Sequence, residues 1–367
     1  MGRKTNMKMK TLLTIVIPTR NRPQYLKRLL KYFIKESFNL SIIIADSSDD
    51  NYKEEVRKIV VDCKDKNFIL QNYDSSISFY SKVSKALHIV STPLTTLCAD
   101  DDFMIYDTVK KSCEFLLQNK EYSAARGLLY NFYSLPTENF YWLPVHHMQS
   151  IEGDTSLDRI KSMNLSNSCS FYAIHRTAVL QNNYKIVSQS KKDWDWLSIQ
   201  FIESATLIAG KFKVFNLPYH FQEKSGDTVG AKLSLLNEEK IFTQNFQKDR
   251  AWLFLEISSL LNQSSTIDYK IIYKEADDLV RRLINDMIDA HSVTIKDHNT
   301  IKESMWGVAI KDKIASKLNF LLFEKSLVDT YKKILEKNEQ SFSSIKRSVI
   351  ESNLYSLYDG GGMQWEQ

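Results

Sequence analysis

Three aspartates in a row, Asp100, Asp101 and Asp102, follow the apolar run Leu94 to Cys98. Like charges this close repel one another, and a cation or a set of hydrogen bonds must offset the crowding. Carboxylate oxygens suit Mg²⁺ or Mn²⁺, ions that complete their shells with substrate phosphates and water. On spacing alone, a solvated turn fits equally, with Asp101 or Asp102 favoured by the dipole of the next helix.

Other polar residues also come directly after apolar runs. Thr19, Asn21 and Arg22 follow Leu12 to Ile17, and Asp46 follows Ser41 to Ala45. Ligands of open parallel sheets bind at the carboxyl ends of strands, which gives these positions more weight than polar residues elsewhere. Asp46 either starts an Asx-turn or hydrogen-bonds a base or ribose edge. Arg20, Arg22, Lys27 and Arg28 either attract a diphosphate or form a solvated helix face. Further on, KKDWDWLSIQFI puts Asp193 and Asp195 at a helix start, with Trp194, Leu197 and Phe201 able to face the core. Carboxylates there either complement the helix dipole or, held between tryptophans, serve as a general base. His146, His147, His175 and His220 lack metal-ligand spacing such as HExxH, which makes structural roles the default; His220, just after Pro218, is the one placed nearest a site.

The elements that position these residues follow from hydrophobic periodicity. The first half alternates short β-branched runs with segments of helical period, which predicts an α/β fold with a mostly parallel sheet flanked by helices. Leu12 to Ile17 reads as a strand ended by Pro18. Pro23 then opens a helix carrying Leu26, Leu29, Leu30 and Phe33 at helical spacing. Strands are expected at Ser41 to Ala45, Phe68 to Gln71 and Leu94 to Cys98, and helices at Glu54 to Val61, Ser78 to Val90 and Thr108 to Asn119. The aromatic stretch Tyr130 to Trp142 reads as irregular and Ile151 to Asp158 as a polar loop. Phe171 to Ile174 is predicted to be a strand, Trp194 to Ala205 a helix, and Lys213 to Leu217 a last strand. From about Ala231 onward only helical periodicity remains.

Composition bounds the answer. The chain's 367 residues suggest about two domains. With 43% hydrophobic and 25% charged residues it belongs among folded globular proteins. Its 10 glycines exclude glycine-rich architectures. A net charge of +5, spread along the chain, does not imply nucleic-acid binding. Cys63, Cys98, Cys113 and Cys169 show neither zinc spacing nor a disulfide framework, which fits a reducing, cytoplasmic setting. The run LLTIVIP is too short for a spanning helix, and no other stretch comes closer to about 18 apolar residues. A soluble protein, or one resting on the inner face of the cell membrane, is expected.

Taken in order, these pieces resemble the family 2 glycosyltransferases of the GT-A fold over Leu12 to Gly230. LTIVIPTRNRPQYLKRLL is similar to the family's opening strand and helix, and IIIADSSDD to its second-strand segment. SKVSKALHIVSTPLTTLCADDDF is similar to its helix, strand and DxD stretch. SNSCSFYAIHRTAVL followed by DWDWL is similar to a later strand and the ED-x-D-L segment. The DDDF variant and the helical extension resemble members from bacterial surface-polysaccharide clusters, of capsule or lipopolysaccharide type.

The resemblance implies a metal-dependent, inverting transfer of a sugar from a nucleotide-sugar donor to a hydroxyl of a glycan or lipid-linked glycan acceptor. Thr19, Asn21 and Asp46 would contact the nucleotide, with Arg22, Lys82 and Asp101 nearby. Asp100 would meet ribose or metal, and Asp102 would ligate Mn²⁺ or Mg²⁺, with His220 the candidate third ligand. Asp193 takes the catalytic-base position, and Asp195 is the neighbour able to substitute. The family's glutamate before the base is Lys192 here, and its glycines before Phe171 are Asn167, Ser168 and Cys169. The implied organisation is a GT-A catalytic domain over 1–230, a helical region over 231–358 and a disordered tail over 359–367. The helical region is a candidate for homo-oligomer contacts, for packing into the first domain, or for a membrane face through Trp306, Lys311, Lys313 and Lys317.

Three other readings compete. A sugar nucleotidyltransferase would open with a glycine-rich loop, where this chain has Pro18 to Asn21. A haloacid-type phosphohydrolase would need a hydroxyl soon after its aspartates, where Phe103 to Ile105 supplies none. A non-catalytic carbohydrate-binding or scaffold protein on a degenerate transferase fold is the non-enzyme alternative.

Overall fold

The computed structural model describes residues 9–65, 67–134, 140–144, 149–163, 170–190, 195–223, 243–265, 267–304 and 345. Its first half is a run of strand and helix: β1 (Leu13–Thr19), α1 (Pro23–Lys35), β2 (Ser41–Asp46), α2 (Asp50–Asp62), β3 (Phe68–Asn72), α3 (Phe79–His88) and β4 (Leu94–Leu97). Each of these elements was expected, with ends within a few residues. The four strands pair in parallel in the order β3-β2-β1-β4. Thr19 is the register partner of Asp46, so two candidate residues finish side by side at the carboxyl edge.

The sheet then continues with mixed strand directions. Next in the chain are β5 (Phe103–Met104), α4 (Tyr106–Gln118), β6 (Tyr122–Ser134), β7 (Phe140–Pro144) and α5 (Ser156–Lys161). They are followed by β8 (Ile174–Arg176), α6 (Thr177–Gln189), α7 (Asp195–Ala209) and β9 (Lys211–Glu223). Beyond β4 the order is β8-β6-β9-β5, with β7 paired to β6. The β6 to β9 pairing is parallel, whereas β8 and β7 run antiparallel to β6, and β5 to β9.

Burial follows the period of two along the strands. In β1, Ile15 and Ile17 join one apolar cluster with Leu26, Leu29, Leu30 and Phe33 of α1, as the helical spacing required. Val16 enters the opposite cluster with Val83 and Leu87 of α3, Leu180 of α6, and Leu197 and Phe201 of α7. A parallel sheet buried on both faces needs continuous apolar strands, which explains why LTIVI and SIIIA do not alternate with polar residues.

Two long helices follow, α8 (Gln244–Ser264) and α9 (Tyr269–Ser304). Leu253, Ile257 and Leu261 of α8, and Leu279 and Leu283 of α9, lie in the same cluster as α7. Each fully buried leucine contributes about 1.5–3 kcal/mol, so these helices are fastened to the sheet domain by its own core. The expected boundary near residue 230 and the tail 359–367 lie outside the described residues, as do Trp306, Lys311, Lys313 and Lys317. Among the described residues no helix is long and apolar enough to cross a membrane.

Four expectations are corrected. The aromatic stretch expected to be irregular holds the end of β6 and the start of β7, which pair antiparallel in a ribbon, a setting that favours aromatic residues. The polar loop near residue 155 contains α5, started by a capping box between Thr155 and Asp158. Ile174–Arg176 is the strand where Phe171 to Ile174 was expected, and it runs straight into α6. The last strand does not stop before Pro218 but continues to Glu223. The β6 to β9 register shifts there, and such an irregularity tolerates a residue without an N–H. Gly127, within that shift, faces the Leu217 carbonyl so closely that a Cβ has no room.

Candidate active site

The carboxyl ends of β1, β2 and β4 bring three sequence-distant segments together. The Thr19 hydroxyl donates to Asp100 Oδ2 at 2.6 Å. Arg22, which precedes α1, reaches Asp100 Oδ1 at 3.0 Å through Nη1 and Asp101 Oδ2 at 2.8 Å through Nη2. Its guanidinium lies 4.1 Å from the Tyr25 ring centroid. Burial opposes the charge on Arg22, but Asp100 and Asp101 outweigh it and hold the group more firmly protonated than usual.

Asp46 is fully buried at the end of β2. Its Oδ1 accepts from the Ser48 N–H at 2.8 Å and the Ser48 hydroxyl at 2.6 Å, which is the Asx-turn of the structural reading. Its Oδ2 is buried with no partner. An orphaned carboxylate oxygen is costly, and a ligand N–H would relieve it. Asn21, at φ 57°, exchanges hydrogen bonds with Asp49 and takes the Ser48 hydroxyl as acceptor for its N–H. The Asn21 side chain thus ties the loop after β1 to the loop after β2, and the left-handed backbone is one that asparagine tolerates.

Lys82 comes up from α3 beneath both loops. Its ammonium donates to the Thr19 carbonyl and the Ser47 hydroxyl, each at 2.8 Å. Desolvation lowers its pKa to about 8, while Asp46 and Asp100 act the other way.

The carboxylate triplet is buried, not solvated. Desolvation raises the pKa of Asp100 to about 7; Arg22 opposes this, Asp101 adds to it, and the Thr19 hydrogen bond opposes it. Asp102 accepts from the Glu223 N–H at 3.1 Å through Oδ1, and its Oδ2 lies 2.8 Å from His220 Nε2. His220 stacks on Tyr172 at 4.5 Å and keeps Nδ1 buried and unpartnered. The triplet does not run into a helix start, because β5 intervenes before α4.

The carboxylate oxygens and the raised Asp100 pKa match the chemistry of a hard divalent cation. Among the described residues, no group of three or more His, Cys, Asp and Glu side chains is gathered to hold a metal ion as they stand. Arg22, His220 and the Glu223 N–H occupy carboxylate oxygens that a cation would share.

Thr19, Asn21, Arg22, Asp46, Lys82, Asp100, Asp101, Asp102 and His220 are therefore assembled along one edge. Asp193 lies outside the described residues; Asp195 is the first residue of α7, with its side chain outside them too. His146, His147, Asn167, Ser168, Cys169 and Lys192 are likewise outside. Arg28 is corrected: it is buried, pairs with Glu223 at 2.6 Å and donates to the Asp101 carbonyl at 2.8 Å, so it is neither a solvated face nor open to a diphosphate. Sequence reading missed Ser48, Tyr172 and Glu223. The spacing of Arg22, Tyr25, Arg28 and Tyr32 marks one face of α1 and was an available signal. An open groove of about 520 Å³ lies between α2 and the end of β3, lined by Asp50, Lys53, Glu54, Arg57, Asn72, Tyr73 and Asp74, and Asp46 is not part of its lining. The Tyr73 N–H donates to the Asp46 carbonyl at 2.7 Å.

The sequence of residues 14–182 matches the glycosyl transferase family 2 model. No curated protein matches the chain. The fold is similar to S. aureus TarS 1-349 in complex with UDP-GlcNAc, with a TM-score of 0.53, 15% identity, and coverage of 74% of this chain and 72% of that one. A second crystal structure of S. aureus TarS 1-349 aligns over 96% of this chain and 93% of that one at a TM-score of 0.50 and 13% identity. Against a longer TarS chain the overlap is 43% of that chain and 74% of this one, at 15% identity and a TM-score of 0.47, which carries no weight. At these identities the likeness shows the fold, the GT-A arrangement with a helical C-terminal region.

Proposed function

We propose, from the match of residues 14–182 to the glycosyl transferase family 2 model, a metal-dependent sugar transfer from a nucleotide-sugar donor to a hydroxyl of a glycan or lipid-linked glycan acceptor. The observation that carries this reading is the orphaned Asp46 Oδ2, buried beside Thr19 on the sheet edge that also holds Asp100. In this reading Asp46 Oδ2 accepts an N–H of the donor's base, which would relieve the orphaned oxygen. Arg22, whose side chain is 29% exposed, and the more exposed Arg20 of the same loop are the cations that would meet a diphosphate.

Asp102 and Asp100 would hold Mn²⁺ or Mg²⁺, with His220 orienting Asp102 through Nε2. When bound, the cation offsets charge on the diphosphate leaving group. Asp193 would take the proton of the attacking hydroxyl, and attack from the far side of the anomeric carbon inverts it; Asp195 is the neighbour able to substitute. A cytoplasmic setting at the inner membrane face, in surface-polysaccharide synthesis, is consistent with a lipid-linked acceptor.

Because a structurally similar protein was crystallised with UDP-GlcNAc, uridine diphosphate and its sugars are the first ligands to test. Saturating UDP with Mn²⁺ should raise the melting temperature, since a ligand at 100 Kd stabilises by about 2.7 kcal/mol. UDP-sugar hydrolysis or transfer should then follow. A panel of nucleoside diphosphates that leaves the melting temperature unmoved overturns the proposal.

A further inference from the structure

The turn that carries Asp100, Asp101 and Asp102 is gripped from two sides by groups that belong to neither a nucleotide nor a metal shell. From α1, the Arg28 guanidinium donates to the Asp101 carbonyl at 2.8 Å, and the Tyr32 hydroxyl donates to the Met104 carbonyl at 2.9 Å. From β9, the Glu223 N–H holds Asp102 Oδ1 at 3.1 Å, and the Tyr219 carbonyl accepts from the Ile105 N–H at 2.8 Å. Arg28 Nη2 joins the two sides by pairing with Glu223 Oε2 at 2.6 Å. Both members of that pair are buried, with side chains 1% and 0% exposed. The guanidinium also lies 4.9 Å from the Phe103 ring centroid and 5.2 Å from that of Tyr25.

From this geometry we infer that Arg28 and Glu223 are positioning residues that set where the Asp100 to Asp102 carboxylates point. A buried ion pair is a poor device for stability alone, because an apolar pair of similar volume often serves the fold as well. Here one end of the pair is spent on the turn's own backbone and the other on the residue whose N–H orients Asp102. Nearly all of this is invisible to local sequence, because Arg28 and Glu223 are 195 positions apart. The inference rests on the proposed function, in that the carboxylates are taken to hold the donor's diphosphate and its cation.

The test compares full-length wild type with Arg28→Met/Glu223→Leu, Arg28→Lys and Glu223→Gln. Three readouts are taken: melting temperature without ligand, UDP affinity with Mn²⁺ by calorimetry, and amide exchange of the segment Ala99 to Met104. The double variant should melt close to wild type, yet bind UDP with Mn²⁺ about 10- to 100-fold more weakly, as loss of groups orienting metal ligands does. Its turn should exchange at least ~10-fold faster. Arg28→Lys keeps the charge without the fork geometry and should recover part of the affinity. A double variant with wild-type affinity and wild-type exchange overturns the inference. If the double variant does not fold, Arg28→Lys and Glu223→Gln decide: affinity lowered several-fold at little cost in melting temperature supports it, and unchanged affinity overturns it. If wild type binds no nucleotide, the proposed function fails, while exchange of the turn still decides whether Arg28 and Glu223 fix it.

Discussion

Thr19 and Asp100 are 81 positions apart, yet the hydroxyl of one donates to the carboxylate of the other at 2.6 Å. The contact exists because β1 and β4 are adjacent parallel strands, so their carboxyl ends come out together. It opposes the rise in the Asp100 pKa and does not cancel it, since burial and the neighbouring aspartates still push the group to about 7.

That shift predicts a pH-dependent stability difference. Between the ordinary carboxylate range and about 7, the folded chain holds a proton that the unfolded chain has lost. Ionisation of Asp100 therefore costs stability as pH rises through that window, on the order of 4 kcal/mol at most. Without metal, Asp100→Asn should melt close to wild type near pH 4 and well above it at pH 8, with Arg22 still paired to Asp101. Melting curves at the two pH values check it, and a constant difference between the proteins contradicts it.

Lys82 predicts the opposite edge of the pH profile. Its pKa is lowered to about 8 chiefly by desolvation, so between about 8 and 10.5 the unfolded chain holds a proton that the folded chain has released. Stability from this group accordingly rises with pH across that window. The same deprotonation removes positive charge facing Asp46 and Asp100, so UDP affinity should fall several-fold from pH 7 to pH 9. Lys82→Arg cannot deprotonate in this range and should keep its affinity level. Calorimetry at both pH values decides, and parallel declines would remove Lys82 from the explanation.

Asp102 has both oxygens engaged, by His220 and by the Glu223 N–H, which leaves its remaining lone pairs fixed in direction. Asp102→Asn should bring UDP affinity in Mn²⁺ down to the value measured in EDTA. His220→Gln, which removes only an orienting partner, should cost less, about 10-fold. Equal affinities with Mn²⁺ and EDTA in wild type would refute the metal assignment.

Asp193 is tested by chemistry, since its position comes from the DWDWL segment alone. Asp193→Asn should lower transfer about 10²- to 10⁴-fold with UDP binding intact, the usual range for a lost general base. Asp195→Asn should be the milder variant. Turnover by Asp193→Asn within a few-fold of wild type would take the residue out of the role.

Much of the site's membership could be read from the chain, because strand ends are local. An apolar β-branched run with a polar residue after it places Thr19, Asp46 and Asp100 at a carboxyl edge whatever the rest of the fold does. Helical spacing likewise fixed the buried face of α1 before its neighbours were known. The same local logic failed at Pro218, where the partner strand shifts register to admit a residue without an N–H. It failed again at Arg28, whose burial depends on Glu223, a residue far along the chain.

The sequence alone determined the α/β order of the first half, the helical character of α8 and α9 after the sheet and most of the polar residues that line one edge. Only the tertiary structure decided which of them touch. It made Asp46 both an Asx-turn and the owner of an orphaned oxygen, and it made Arg28 a brace where a solvated charge was expected. The physical reason is range. Periodicity and turn chemistry act over a few residues, whereas burial, desolvation and pairing of charges arise from strand adjacency across tens to hundreds of positions.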